Sequence, residues 1–200
     1  MSYTIPARDP RAERGQWRAA GWNQAGWDQE DEAGAGALSC ESGVRMPTFE
    51  RSIEMRAEAG AVFDLAQDYN RRLSWDPFLR EARLLGGATQ AGLGVRAWCV
   101  ARNGLGMETE YVSFSRPSVV AVRMTRGPWL FRRFAGTWRF TPVVSGTGMG
   151  TGTTRVTFRY QVSARPAWLG WLLDPPLLAI FARESVRRLR ALKRAAEGAG

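Results

Sequence analysis

The chain has 200 residues, 44% of them hydrophobic, and a formal net charge of +9, which is enough for one ordinary domain with its own core. It contains no histidine, so Ser-His-Asp and Cys-His catalysis and histidine-ligated metal sites are excluded. Its two cysteines, Cys40 and Cys99, are too distant to suggest a disulfide framework, and no apolar run reaches the roughly 18 residues of a spanning helix, so a reducing, cytoplasmic setting is expected.

The charge is uneven. Residues 1–45 hold five Arg against seven Asp/Glu, a net of −2, which leaves +11 for residues 46–200. Gly, Ala, Arg, Glu and Gln dominate residues 1–45 without apolar periodicity, so a disordered N-terminal extension is expected there. Trp17, Trp22 and Trp27 recur every five residues, which fits neither a helical stripe nor a strand face. The beginning of the chain lacks the apolar segment of a secretory signal, and Met46, just before the first strand-like run, is a second candidate start of translation.

From Thr48 the pattern becomes orderly, and one domain is expected over residues 48–197. "TFERSIEM" alternates Phe49, Ile53 and Met55 against Glu50, Ser52 and Glu54, as a half-buried strand does. "EAGAVFDLAQDY" places Val62, Phe63, Leu65 and Ala66 at helical spacing, and "NRRLSWDPFLREARLL" is expected as a second short helix that Pro77 ends or kinks. A run of strands follows. "GVRAWCVAR" leads into Asn103-Gly104, a hairpin signal; "METEYVSF" returns, and "SVVAVRM", "GTWRFTPV" and "TTRVTFRYQV" come next. In the last of these Val156, Phe158, Tyr160 and Val162 point inward, as in an antiparallel sheet with one buried face. The Gly/Thr segment 144–153 reads as a long hairpin loop, since it has neither a Walker pattern nor a helix behind it. "PAWLGWLL" reads as a short helical turn, and a long helix is expected from Pro175-Pro176 to about Glu197. Along it Leu178, Phe181, Ser185, Leu189, Leu192 and Ala196 share one face, and Arg183, Arg187, Arg190 and Arg194 the other.

The expected fold is α+β: a curved antiparallel sheet of six or seven strands around a long C-terminal helix, with two short helices after the first strand. The order of elements, together with "FERSIEMRAEAGAVFDLAQDY", Trp75-Asp76-Pro77, the "GLGMETEYVSF" hairpin and "GTWRF" before a final strand and helix, resembles the START/birch-pollen-allergen-like (SRPBCC) superfamily over residues 48–197. The resemblance is strongest to its polyketide cyclase/dehydrase-like branch. It implies a helix-grip fold with a deep cavity for a small hydrophobic or aromatic molecule. It does not fix the function, because that fold hosts cyclases, lipid or quinone carriers and ribosome- or membrane-associated modules.

The candidates for acid/base chemistry lie on the strands. Glu108 and Glu110 alternate with Thr109 and Tyr111, and Arg96, Arg123 and Arg139 also fall within strands. A carboxylate in an apolar cavity gains proton affinity and serves as a general acid or base, while Tyr111 and an arginine polarise a carbonyl. The simpler alternative is a set of cross-strand pairs on a solvated face. Candidate ligand-binding residues are Trp75, Trp98, Tyr111, Met124, Trp129, Phe134, Trp138 and Phe181, with Phe140 as a further cavity or core candidate. No metal and no cofactor is expected. In "RGPWLFRRFAGTWRF" Trp138 and Phe140 face opposite to Arg139, which argues against a nucleic-acid stacking surface. That segment is expected to form a lid or wall, with Trp129, Leu130, Phe131 and Phe134 folded over the cavity. The arginine row of the last helix offers peripheral contact with an anionic membrane.

Overall fold

The computed structural model describes residues 48–144, 150–164 and 170–198. The expected disordered extension, the spacing of Trp17, Trp22 and Trp27, Cys40 and the second start at Met46 lie outside the described residues.

Seven strands form one antiparallel sheet in the order β1-β7-β6-β5-β4-β3-β2. The strands are β1 (Thr48–Met55), β2 (Leu79–Leu84), β3 (Arg96–Ala101), β4 (Gly106–Ser115), β5 (Val119–Arg126), β6 (Phe131–Val144) and β7 (Gly150–Ala164). Helices α1 (Ala59–Gln67) and α2 (Arg72–Trp75) follow β1, and α3 (Gly170–Glu197) closes the chain. This is the helix-grip arrangement: the sheet curls around α3, which rests on β1 and β7. Lys193 Nζ donates to the Glu54 carbonyl at 2.8 Å, and the Arg56 amide donates to Glu197 Oε1 at 2.8 Å, tying the end of α3 to the end of β1.

Three segments differ from the sequence expectation. Only Arg72–Trp75 of "NRRLSWDPFLREARLL" is helical, and Leu79–Leu84 pairs with β3 as a seventh strand. Pro77 stops the helix, and Asp76 Oδ1 accepts the Phe78 amide at 3.1 Å, which turns the chain into the sheet. The strands flanking the Gly/Thr loop extend further than expected, to the pair Val144 and Gly150; residues 145–149 lie outside the described set. Finally, α3 already begins at Gly170, so Pro175 and Pro176 sit inside it in its second turn, where each removes one N–H from the ladder; the part of "PAWLGWLL" before Gly170 lies outside the described residues.

Two bulges decide which side chains face inward. Tyr111 pairs with Val122 and Ser113 with Ala121, so Val112 is an extra residue in β4. Past it the alternation shifts, and Phe114 joins the inner face against Phe63, centroids 5.3 Å apart. Likewise Phe131 pairs with Ala164 and Arg133 with Ser163, so Arg132 is extra and both Phe131 and Phe134 reach the inside. The core runs from Met55, Val62 and Phe63 through Val120, Trp138, Phe140, Val156 and Phe158 to Leu189 and Leu192 of α3. Leu178 and Phe181 pack on its edge, while Arg183, Arg187, Arg190 and Arg194 are exposed. No described helix is long and apolar enough to cross a membrane.

Candidate functional site

Between the inner face of the sheet and α3 lies a cavity of about 280 Å³. Its open end is formed by Leu105 in the β3–β4 hairpin, Pro128 and Leu130 before β6, and Leu177 and Ile180 of α3. Leu105 and Ile180 are exposed there. The hairpin is the one that Asn103-Gly104 announces: Gly104 has φ of 90°, and Asn103 Oδ1 accepts the Leu105 amide at 3.1 Å. The walls are Phe78, Leu79, Val120, Val122, Phe131, Phe134, Trp138, Phe158 and Phe181. The Tyr160 ring fits among Phe134, Phe158 and Phe181 at centroid distances of 5.1, 4.1 and 5.6 Å.

Besides Asn103, Thr109 and Glu184, two hydrogen-bonded polar clusters interrupt this apolar lining. The first is built on α2, β7 and α3. Arg72 and Asp76 stand i, i+4 across the end of α2 and pair at 3.0 Å; Arg188 comes from α3 and meets Asp76 at 2.8 Å. All three side chains are buried, Asp76 completely. Arg188 Nη1 donates to Tyr160 Oη at 2.6 Å, and Arg72 Nη1 donates to the Ala66 carbonyl. The guanidiniums lie over aromatic faces: Arg72 over Trp75 at 4.8 Å, Arg188 over Phe78 at 5.2 Å and Phe158 at 5.4 Å. Burial by itself raises the Asp76 carboxyl pKa, but the charges of Arg188 and Arg72 and its hydrogen bonds outweigh that and hold it below the usual aspartate value. Burial likewise works against the Arg188 charge, and Asp76 more than restores it.

The second group joins α1 to β3 and β4. Tyr111 donates to Gln67 Oε1 at 2.9 Å, and Tyr69 Oη stands 3.2 Å from Tyr111 Oη. Gln67 Nε2 is buried without a hydrogen-bond partner. Cys99 lines the cavity beside Tyr69, and burial pushes its thiol up. Burial also pushes Tyr69 well above the usual tyrosine value and Tyr111 and Tyr160 up to about 12, so at neutral pH all three are hydroxyl donors rather than bases.

Of the ligand-binding candidates from the sequence, Tyr111, Phe134, Trp138 and Phe181 line this cavity, and Trp75, Trp98, Met124 and Trp129 are not among its lining residues. Trp75 is buried behind Arg72, Trp98 packs over Gly106, and Met124 packs against Gly127. Trp129 is 79% exposed, so the expected wall keeps Leu130, Phe131 and Phe134 and loses Trp129. Phe140 is core and lies outside the lining. The acid/base candidates separate in the same way. Glu108 pairs with Arg96 at 3.1 Å and Glu110 with Arg123 at 2.9 Å, on the outer face, because they alternate with the inward Thr109 and Tyr111. Only Tyr111 of that group reaches the cavity.

Gln67, Tyr69, Arg72, Cys99 and Arg188 escape sequence reasoning, and so does the pairing of Asp76 with the two arginines. One signal was present. Arg188 stands three residues after Ser185 and four before Leu192, inside the apolar stripe and apart from the other arginines, and a charge within an apolar stripe is buried with a partner. Among the described residues no group of three or more Cys, Asp or Glu side chains is placed to hold a metal ion.

Residues 46–197 match the family described as polyketide cyclase / dehydrase and lipid transport. No curated protein matches the sequence. Similar solved structures include a Thermus thermophilus protein, with a TM-score of 0.63 at 18% identity over 77% of this chain and 99% of that one. A START superfamily protein from Mycobacterium smegmatis gives 0.61 at 11% identity, over 76% of this chain and 99% of that one. An aromatase/cyclase from Streptomyces gives 0.59 at 18% identity, over 76% of this chain and 94% of that one.

Proposed function

The chain belongs to the polyketide cyclase/dehydrase and lipid transport family, and from that premise we propose that its domain of residues 48–197 encloses a small hydrophobic or aromatic molecule. The observation that carries this reading is the cavity itself: about 280 Å³, walled by aromatic and aliphatic carbon, with hydrogen-bond donors gathered at two places. Pockets of that composition gain affinity by burying apolar surface and fix orientation through a few polar groups.

The test is occupancy. Native mass spectrometry of the purified protein reports a copurified small molecule, and N-phenyl-1-naphthylamine reports an apolar site by its fluorescence. Ala101 lines the cavity and is buried, so Ala101→Phe fills it. The probe should bind the wild type with one site and lose affinity at least tenfold in Ala101→Phe while the fold persists by circular dichroism. Unchanged affinity in that variant would place the ligand elsewhere.

Chemistry on the bound molecule is the second reading, and the donors favour it. Tyr111, Tyr160 and the arginines face the cavity, as a site that stabilises a developing enolate oxygen requires, and an aromatase/cyclase is among the similar folds. In this reading the protein is a polyketide cyclase or dehydratase, with Glu108 and Glu110 outside the chemistry because they face away from the cavity. Turnover of a poly-β-ketone thioester that falls in Tyr111→Phe with affinity retained supports it; absence of turnover in the wild type leaves the carrier.

A further inference from the structure

The charges of the buried cluster do not balance. Two guanidiniums, on Arg72 and Arg188, share the single carboxylate of Asp76, and the three side chains expose 8%, 8% and 0% of their surface. Asp76 Oδ2 already accepts from Arg72 Nε at 3.0 Å and from Arg188 Nε and Nη2 at 3.1 and 2.8 Å. A buried surplus charge is costly unless a counter-charge reaches it.

The donors are also incompletely used. A guanidinium carries five N–H groups. Arg72 commits Nε to Asp76 and Nη1 to the Ala66 carbonyl, and its Nη2 donates to none of the described residues. Arg188 commits Nε and Nη2 to Asp76 and Nη1 to Tyr160, which leaves a second N–H on each terminal nitrogen. Tyr160 accepts from Arg188, so its own hydroxyl proton is left to donate. Arg72, Arg188 and Tyr160 all line the cavity. Asp76 stands behind the arginines and is not itself a lining residue; the carboxylate that does line the cavity among the described residues, Glu184, is matched by Arg187 at 3.0 Å. The aromatic faces beside the guanidiniums offset part of the surplus, but a ring face carries no formal charge.

We propose that the cavity binds an aromatic or apolar acid as its anion, with the carboxylate seated against Arg72, Arg188 and the Tyr160 hydroxyl and the apolar body against Phe134, Trp138 and Phe181. This rests on the cavity reading above and names the ligand class for it. The bound anion neutralises the surplus charge, and two guanidiniums with a hydroxyl give a carboxylate the directed donors it needs.

The test uses 2-naphthoate and its neutral isostere 2-naphthamide as competitors of N-phenyl-1-naphthylamine on the full chain. The naphthoate should displace the probe at least tenfold more strongly than the amide, and the advantage should persist in about 1 M NaCl, because a buried pair is little screened. Arg72→Gln keeps the Asp76–Arg188 pair and should weaken the naphthoate far more than the amide, removing most of the advantage. Asp76→Asn should enlarge it. Equal competition by the two in the wild type, an advantage abolished by salt, or one that survives Arg72→Gln overturns the anion assignment. If a variant fails to fold, the wild-type comparison and its salt dependence decide. Failure of the fluorescent probe itself to bind overturns the cavity reading instead.

Discussion

Arg188 Nη1 donates to Tyr160 Oη at 2.6 Å, joining the middle of α3 to the inner face of β7. The bond is charge-assisted and fully buried, and removing the hydroxyl leaves a guanidinium N–H without its acceptor. Tyr160→Phe should cost about 1–3 kcal/mol, which for a domain of this size lowers the melting temperature by roughly 2–4 °C per kcal/mol. Calorimetry checks it; an unchanged melting temperature would show that the hydroxyl contributes nothing to the fold.

Asp76 gives the protein an acid limit. Its carboxyl is held below the ordinary value by Arg188 and Arg72 against the opposing effect of burial. A group with a depressed folded pKa contributes stability above its unfolded pKa of about 3.9, and that contribution is lost as pH falls through the folded value. Stability measured in urea should therefore hold down to about pH 5 and decline below about pH 4. In Asp76→Asn this decline should be weaker and the variant less stable at neutral pH, by about 3–5 kcal/mol, because one partner of a buried pair is gone.

The tyrosines give an alkaline limit of opposite sign. Tyr111 and Tyr160 are pushed by burial up to about 12, while in the unfolded chain they ionise near 10. Their contribution is complete below pH 10 and lost as pH rises toward 12. Phenolate absorbance at 295 nm should show both titrating together with unfolding, monitored by circular dichroism, rather than before it. Free titration near pH 10 in the folded protein that disappears in Tyr111→Phe or Tyr160→Phe would contradict the burial of that tyrosine.

Glu110→Gln should be nearly silent. Its partner Arg123 lies 2.9 Å away on the outer face, with the two side chains 27% and 47% exposed, and such pairs contribute less than about 1 kcal/mol. Urea denaturation should report a change below that bound, and probe affinity should be unchanged. A large loss of affinity would bring this carboxylate back as a functional group.

Much of the fold was legible because its signals are local. Alternation in β1 and β7 predicts Phe49, Met55, Val156, Phe158, Tyr160 and Val162 as inward, and each is buried. Asn103-Gly104 predicts the hairpin, and the stripe of the last helix predicts Leu189 and Leu192 against the sheet. The seventh strand was hidden because "LREARL" carries a pattern compatible with either period and follows a true helix. Trp129 was misassigned because composition shows an aromatic cluster without the direction each ring takes.

The candidate site was legible only in its walls. Tyr111, Phe134, Trp138 and Phe181 are large apolar side chains at inward positions, and hydrophobic periodicity finds those. Its polar heart was not, since Asp76 and Arg188 meet across 112 residues of chain, and nothing near either one specifies the other.

The sequence alone therefore determined the elements, their order, the buried face of most strands and the exclusion of histidine chemistry, because each depends on residue type and near neighbours. The tertiary structure decided the rest. Bulges at Val112 and Arg132 change which side chains point inward, and the curl of the sheet around α3 brings Arg72, Asp76, Tyr160 and Arg188 into one buried cluster. Long-range convergence of this kind is set by packing, so a lone arginine in an apolar stripe acquires its meaning only once its partners are in place.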